Sequence, residues 1–486
     1  MSIAPHRPAR WIRRPVATGV VAILAAGLLT APGCSPSALP TNQTAPPGLT
    51  RLSVDDLGPR VLVIAPHPDD EGIAAGAIIG DLLAKHRDVT VALVTCGDGY
   101  VPGAVAYLGP IGSTPKGLLR YGAVRAGESR EAMRRLGLPK DDLVLLGFPD
   151  GGGSSEWDQE WDDANPHRGR NGATSTPYPF ALVPGAPYSG AQYVRDIETL
   201  LERTNPTAIL YPDPNDAHQE HWAANAFVQY ALMQTNRRLL EACYLVHRSD
   251  FPLPAGLHPQ LSLYPPKMLW DIGANWKTLP VSTTQEALLH YVDQAYKTQY
   301  DRGEVFLESF DRRNALFAVY ERPVVRRRNV LPDMSTGALL PGTVVEDPVG
   351  DTASRKLEAE GDIAAVSLAL DQDSAVFGMQ LVGLVKREVE YRFDIRVLAH
   401  GKIRRYDIVV SQGVAKSVAL AANSATLTAP VPVGTAPRRI WIDLPASVLA
   451  GATEVLAETE TWVNGQMIDK TAYRRVNVRG LSRRYQ

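Results

Sequence analysis

The chain has 486 residues, enough at roughly 150 residues per domain for two or three domains, and its 45% hydrophobic and 21% charged residues exclude both a disordered chain and a multi-span membrane protein. Fifty Lys and Arg against 52 Asp and Glu leave a formal charge of −2, so the basic excess on which duplex nucleic-acid binding depends is missing. Forty Gly and 38 Pro point to many turns and long connections.

At the start of the chain, Arg7, Arg10, Arg13 and Arg14 precede an apolar run from Val16 to Leu29. That run is short of the ~20 residues of a spanning helix but suits an export signal. Leu29-Thr30-Ala31-Pro32-Gly33 then leads into Cys34 and resembles a bacterial lipobox. Residues 1–34 therefore read as a signal peptide with Cys34 as the lipidated residue. The Pro-, Ser- and Thr-rich stretch that follows, 35–55, reads as a flexible tether to a membrane. The expected location is extracytoplasmic.

From Arg60 onward, short β-branched runs alternate with amphipathic stretches, the pattern of βαβ units around a parallel sheet. Strands are expected at Val61 to Ala65, Val89 to Thr95, Leu143 to Phe148 and Thr207 to Tyr211. Helices are expected at 71–85, at 120–137 ending on Gly137, from Ala191 to Arg203, and from near His218. Between Gly151 and Ser189 lies a long polar insertion with Trp157, Trp161, His167 and Tyr178. A further strand, Cys243 to His247, and a helix, Thr284 to Gln299, extend this region by continuity. The fold class is α/β, a Rossmann-like, doubly wound and mostly parallel sheet flanked by helices, over residues 56–344. From Val345 short strand-like runs such as Glu388 to Leu398, Tyr406 to Val410 and Arg439 to Leu444 indicate an all-β, sandwich-like domain over 345–486.

The first strand runs into Ala65-Pro66-His67-Pro68-Asp69-Asp70-Glu71-Gly72. A dinucleotide fold would carry a Gly-rich loop here, but three carboxylates repel a pyrophosphate, whereas a His and an Asp three residues apart can converge on a divalent cation. The same carboxylates would also favour a helix N-terminus, by about 0.3–1 kcal/mol. A second polar cluster, Asp213, Asp216, His218, Gln219, Glu220 and His221, follows the strand ending at Tyr211. Carboxyl ends of strands are where open α/β sheets bind ligands, so the two clusters can meet above the sheet. Taken as a local motif, Asp216 and Gln219 would form a capping box at the start of the helix.

His67-Pro68-Asp69-Asp70-Glu71 with a later Asp216-x-His218-x-x-His221 resembles the PIG-L (LmbE-like) family of zinc-dependent N-acetylglucosaminyl deacetylases. Thr95-Cys96-Gly97-Asp98, Arg125-x-x-Glu128 and Leu146-Gly147-Phe148-Pro149-Asp150-Gly151 support the resemblance, which covers roughly residues 60–320. It implies His67, Asp70 and His221 as metal ligands, Asp69 as general base, His218 as acid or oxyanion stabiliser, and Asp150 behind His218, keeping it charged. It also implies that Asp98 and Arg125 contact the sugar, although Arg125 can equally pair with Glu128 on its own helix. Two His and one Asp leave a zinc position open to water, and Fe2+ is another divalent candidate. Where His-Pro-Asp-His is common in the family, this chain has His218-Gln219-Glu220-His221, and Asp216 stands where some members carry Tyr.

The expected reaction is hydrolysis of an N-acetyl amide on an amino sugar of an envelope glycan, glycolipid or exopolysaccharide. A deacylase of another N-acyl compound, a non-haem Fe(II) oxygenase and an inactive sugar-binding lipoprotein are the alternatives. The partners expected are the sugar and, through a lipid anchor, the membrane; nothing in the sequence identifies a protein partner. Cys96 and Cys243 read as core thiols. His167, His247, His258, His290 and His400 show no metal-like spacing. Trp157, Trp161 and Tyr178 either stack on sugar or pin the insertion.

Overall fold

In the computed structural model, the described residues are 42–479 apart from 338, 339, 354–357 and 422, with the side chains of 301–304 also left aside. The export segment, Cys34 and residues 35–41 of the tether lie outside them. The chain enters through β1 (Thr50–Arg51), then β2 (Arg60–Ala65), α1 (Asp70–Ile73), α2 (Gly76–Ala84), β3 (Asp88–Thr95), α3 (Val101–Leu108), α4 (Pro115–Leu136) and β4 (Leu143–Phe148). The insertion contributes α5 (Gly153–Asp158). There follow α6 (Gly190–Thr204), β5 (Ala208–Pro212), α7 (Gln219–Gln234), β6 (Leu240–Tyr244), β7 (Ala274–Pro280), α8 (Thr283–Asp293), α9 (Lys297–Leu307) and β8 (Asn314–Tyr320).

The eight strands form one sheet in the order β1-β7-β8-β6-β5-β2-β3-β4. The run from β6 to β4 is parallel, and β8 is antiparallel to both of its neighbours. β2 lies between β3 and β5, so the chain winds away in opposite directions on either side of it. A crevice opens at such a switch point, outside the carboxyl ends of β2 and β5. Apolar strand residues make this possible: Val61 to Ala65 and Ala208 to Leu210 are at most 2% exposed.

Local signals set the helix ends. Thr114 caps α4 by accepting the Gly117 N–H at 3.1 Å, and Gly137 ends it with φ 91°. Ser189 caps α6 at the Gln192 N–H. The helix expected at 71–85 divides in two at Ala74 and Ala75, where Ala75 opens to φ −116° and ψ −6°. Beside that break, Gly72 and Gly76 admit Tyr296 and Leu289; a Cβ at Gly72 would sit 2.6 Å from the Tyr296 hydroxyl. The expected helix at 284–299 likewise divides into α8 and α9. α3 was not expected, since its Val-Pro-Gly start hides the helical period.

The remaining chain builds a sandwich from β9 (Val324–Arg326), β10 (Thr343–Glu346), β11 (Ile363–Leu370), β12 (Ser374–Leu381), β13 (Glu390–Ala399), β14 (Lys402–Ser411), β15 (Val414–Val418), β16 (Val433–Ala436), β17 (Arg439–Pro445), β18 (Ala452–Val463), β19 (Gln466–Lys470) and β20 (Arg474–Arg479). One sheet runs β10-β11-β12-β17-β16. The other runs β15-β14-β13-β18-β20-β9, with β19 paired to β18. Phe377, Ile440 and Ile442 from the first share a core with Phe393, Ile395, Ile408 and Val455 from the second.

Two boundaries shift from their sequence positions. Val324–Arg326, placed with the first region by continuity, and Thr343–Glu346, which straddles the expected 344/345 boundary, hydrogen-bond into the sandwich sheets. Thr50–Arg51, placed in the tether, pairs with Lys277 and Thr278 of β7. The two regions also share a seam. The Trp157 indole N–H donates to the Tyr473 hydroxyl at 2.9 Å, and Gln229 of α7 donates to the Tyr473 carbonyl at 2.9 Å. Trp157, Trp161 and Tyr178 are at most 7% exposed, so they pin the insertion to the body.

Candidate metal centre

β2 ends at Ala65, and the next turn carries His67, Asp69 and Asp70 to the crevice. Asp70 is fully buried, and its Oδ2 accepts the His67 backbone N–H at 2.9 Å. From the far side of the switch point, β5 leads to His218, the cap of α7, and to His221 in its first turn. His67 Nδ1 and His221 Nε2 lie 3.3 and 3.0 Å from the same Asp70 oxygen, and the two rings stack with centroids 5.5 Å apart. Residues 154 apart in sequence thus share one carboxylate.

His247 joins them. It lies three residues past the end of β6, its Nε2 is 3.8 Å from Asp70 Oδ1, and its ring is 4.6 Å from that of His221. One ligand atom from each of His67, Asp70, His221 and His247 lies within 4.8 Å of the others. Spacing along the chain gave no reason to include His247. Its position just beyond a strand at the same sheet edge was the signal that was available.

These residues fit a divalent cation on their own geometry. Asp70 Oδ1 and both ring nitrogens of His221 are buried without a hydrogen-bond partner, although carboxylate oxygens stand near by. Buried polar groups left in this state are costly unless a ligand satisfies them. Imidazole and carboxylate together are a donor set for zinc or another first-row divalent ion.

Asp216 is the post behind His221. Its Oδ2 lies 3.1 Å from His221 Nδ1 and accepts the Val246 and His247 N–H groups at 2.9 Å each, while Oδ1 accepts the His218 N–H at 2.9 Å. It thereby fixes three histidines at once, in place of the Asp216–Gln219 capping box. Burial opposes charge on His221, but Asp216 and Asp70 outweigh it and raise the imidazole to about 9.

Asp69 sits beside this cluster with φ 128°, a conformation rare for a residue with a side chain and one that stores about 1–3 kcal/mol. Three contacts hold it there. Its N–H donates to Glu71 Oε2 at 3.0 Å, Glu71 Oε1 accepts the Tyr296 hydroxyl at 3.0 Å, and Arg125 reaches Asp69 Oδ2 at 3.3 Å. Burial pushes Asp69 up to about 7, against the pull of Arg125.

Arg125, expected to contact sugar, is 4% exposed and also donates to the carbonyls of Pro68 at 2.8 Å and Gly97 at 3.1 Å. A Cβ at Gly97 would come within 1.8 Å of its guanidinium, so only glycine fits at that position. Glu128, the alternative partner for Arg125, instead accepts from the backbone and hydroxyl of Thr298 at 2.9 and 2.7 Å. Asp98 is 1% exposed and accepts from Asn171 and the Tyr178 hydroxyl at 2.8 Å each. Both residues hydrogen-bond within the protein.

Asp150 also departs from expectation. Its Oδ1 stands 3.3 Å from His67 Nε2 and its Oδ2 accepts the Gly99 N–H at 2.9 Å, so it faces His67 rather than His218. His218 Nδ1 accepts the Glu220 N–H at 3.2 Å. Burial, with the His67, His247 and His221 imidazoles around it, lowers His218 to about 2. Both influences favour the neutral imidazole, with its proton on Nε2, over the charged form that the resemblance implies. Cys96 and Cys243 are buried free thiols.

Residues 62–232 match the PIG-L family model, described as GlcNAc-PI de-N-acetylase. This is the family the HPDDE segment resembles, and the matched residues contain His67, Asp69, Asp70 and His221. A 1D-myo-inositol 2-acetamido-2-deoxy-alpha-D-glucopyranoside deacetylase from Corynebacterium glutamicum is 29% identical over 182 residues, covering 37% of this chain and 55% of the relative. The protein of the same name from Corynebacterium diphtheriae is 26% identical over 174 residues, covering 35% and 51%. The chain spans about half the length of the curated relatives it matches. Among solved structures, N,N'-diacetylchitobiose deacetylase from Pyrococcus horikoshii aligns at 17% identity and TM-score 0.31, covering 51% of this chain and 75% of that one.

Proposed function

We propose, with the PIG-L family match at 62–232 as premise, that this protein is a metal-dependent hydrolase that removes the acetyl group from an N-acetylated amino sugar, with zinc as its metal. The observation that carries the reading is the gathering of His67, Asp70 and His221 at the switch point, with Asp69 adjacent to the cluster but outside it. His67, Asp70 and His221 would hold the cation, with His247 as a fourth group in reach. A cation bound there polarises the amide carbonyl and makes a water more acidic.

Asp69 does the proton work. Its carboxylate takes a proton from the water as the water oxygen bonds to the acetamide carbon, then returns that proton to the nitrogen as the carbon–nitrogen bond breaks, leaving acetate and a free amine. In the metal-free protein burial raises the Asp69 carboxyl to about 7, which favours its accepting a proton. Arg125 and Glu71 aim it. His218 donates its Nε2 proton in a hydrogen bond to the developing oxyanion as a neutral imidazole, held in that tautomer by the Glu220 N–H.

The proposed setting is extracytoplasmic, with Cys34 as a lipid anchor and an envelope glycan, glycolipid or exopolysaccharide as substrate; the export-like sequence before Cys34 supports this. Among the described residues no helix is long and apolar enough to cross a membrane.

Acetate release from a panel of N-acetylglucosamine glycans by zinc-loaded protein tests the reading, with Asp69→Asn and His221→Ala as controls. Release by the native chain alone supports it. Equal release by all three proteins, or none on any substrate of the panel, overturns it.

A further inference from the structure

We propose that Asp347, Asp351 and Asp469 form a second metal site in the sandwich, for a hard divalent cation of the calcium class, separate from the histidine centre. Asp347 directly follows β10, Asp351 stands in the turn beyond it, and Asp469 belongs to β19 in the opposite sheet. One oxygen from each lies within 4.8 Å of the other two.

The geometry is that of a built site rather than of an acidic surface. Asp347 is 6% and Asp469 5% exposed. Asp347 Oδ2 is enclosed and has no hydrogen-bond partner. Asp469 is fixed by the Ile363 and Lys470 N–H groups, each donating at 2.7 Å. Asp362 holds the turn from behind by accepting the Gly350 N–H at 2.9 Å, and its other oxygen is buried and unpartnered. Among the described residues none of these four carboxylates takes part in an ion pair; the arginines whose charge bears on Asp347 and Asp351 are Arg474 and Arg248.

Buried carboxylates without a cationic partner either take up protons or coordinate a metal. An all-oxygen donor set with no His or Cys selects a hard ion, and calcium tolerates irregular oxygen geometry better than magnesium does. Such an ion would tie the β10–β11 connection to β19, across the two sheets, where the Ala353 N–H already donates to the Ile468 carbonyl at 2.7 Å.

The test is calorimetric titration of the full chain, stripped with chelator and reloaded with zinc, using CaCl2 and then MgCl2, with thermal unfolding followed in parallel. A single calcium ion should bind more tightly than magnesium and raise the Tm. Asp347→Asn and Asp351→Asn should each weaken calcium by about 10-fold or more and erase the Tm rise. Zinc content should stay unchanged in both, and His221→Ala should keep its calcium. Should Asp347→Asn not fold, Asp351→Asn decides, because Asp351 lies on the exposed turn. No calcium uptake at millimolar concentration, as simple protonation of Asp347 would give, overturns the proposal, and so does uptake unchanged in the variants.

Discussion

Two buried groups of charges can be set side by side. At the seam, Arg405 pairs with Asp407 at 2.8 Å and Asp394 at 3.1 Å, Arg396 pairs with Asp394 at 3.2 Å, and the Arg396 guanidinium lies 3.4 Å from the centre of the Trp157 ring. Arg405 also donates to the Trp157 and Asp158 carbonyls at the end of α5. Opposite charges there answer one another, and the result is a joint. At the switch point Asp70 Oδ1 is enclosed without a hydrogen-bond partner, and the two His221 nitrogens face only the Asp70 and Asp216 carboxylates. The first arrangement is balanced in charge by its own residues, although Arg396 Nη1 is buried without a hydrogen-bond partner. The second gathers imidazole and carboxylate donors that a bound cation would satisfy, whereas the first pairs arginines with carboxylates.

Substitutions should divide along the same line, and the largest effect is expected at His221. His221→Ala should lose both metal, measured by elemental analysis, and turnover, and its Tm should still rise on addition of calcium. Asp69→Asn should keep its metal and lose about 10²–10⁴-fold in kcat, the range of a positioned general base; a variant that lost metal as well would blur the distinction between ligand and base. On the other side of the comparison, Trp157→Ala should cost about 3–5 kcal/mol of unfolding free energy by denaturant titration, since it removes a fully buried indole. Its metal content should not change.

Smaller effects sharpen the account. Asp216→Asn should weaken metal affinity by about 10–100-fold, because it loosens the imidazole that the carboxylate orients. Arg125→Lys should lower kcat with little change in KM if Arg125 positions Asp69, whereas a sugar-binding arginine would show its effect in KM. The smallest effect is on the pH dependence of stability in the metal-free protein. The folded pKa of Asp69, about 7, lies above its ordinary 3.8. This contribution is therefore full below about pH 4 and is lost as pH rises toward 7. Asp69→Asn should flatten that part of the Tm–pH curve.

The parallel sheet was legible in the sequence because each strand is an apolar run between breakers, and Leu143 to Phe148 matches residue for residue. α3 was not legible because Pro102 and Gly103 open it. His247 escaped notice for a different reason: it stands alone in the sequence, and only the pairing of β6 with β5 brings it to the centre. The role given to Asp150 failed on direction, since a residue's place at a sheet edge does not say which of two neighbouring imidazoles its side chain meets. The burial of Arg125 and Asp98, read from the resemblance as sugar contacts, was not legible because sequence carries no measure of burial at a crowded strand end.

The most direct test of the central claim is anomalous diffraction at the zinc edge from crystals of the zinc-loaded protein. The account predicts an ion about 2.0–2.2 Å from a nitrogen of His67, a nitrogen of His221 and an oxygen of Asp70, with Asp69 uncoordinated. An ion held elsewhere, or held at this edge without His67 and His221, would contradict it.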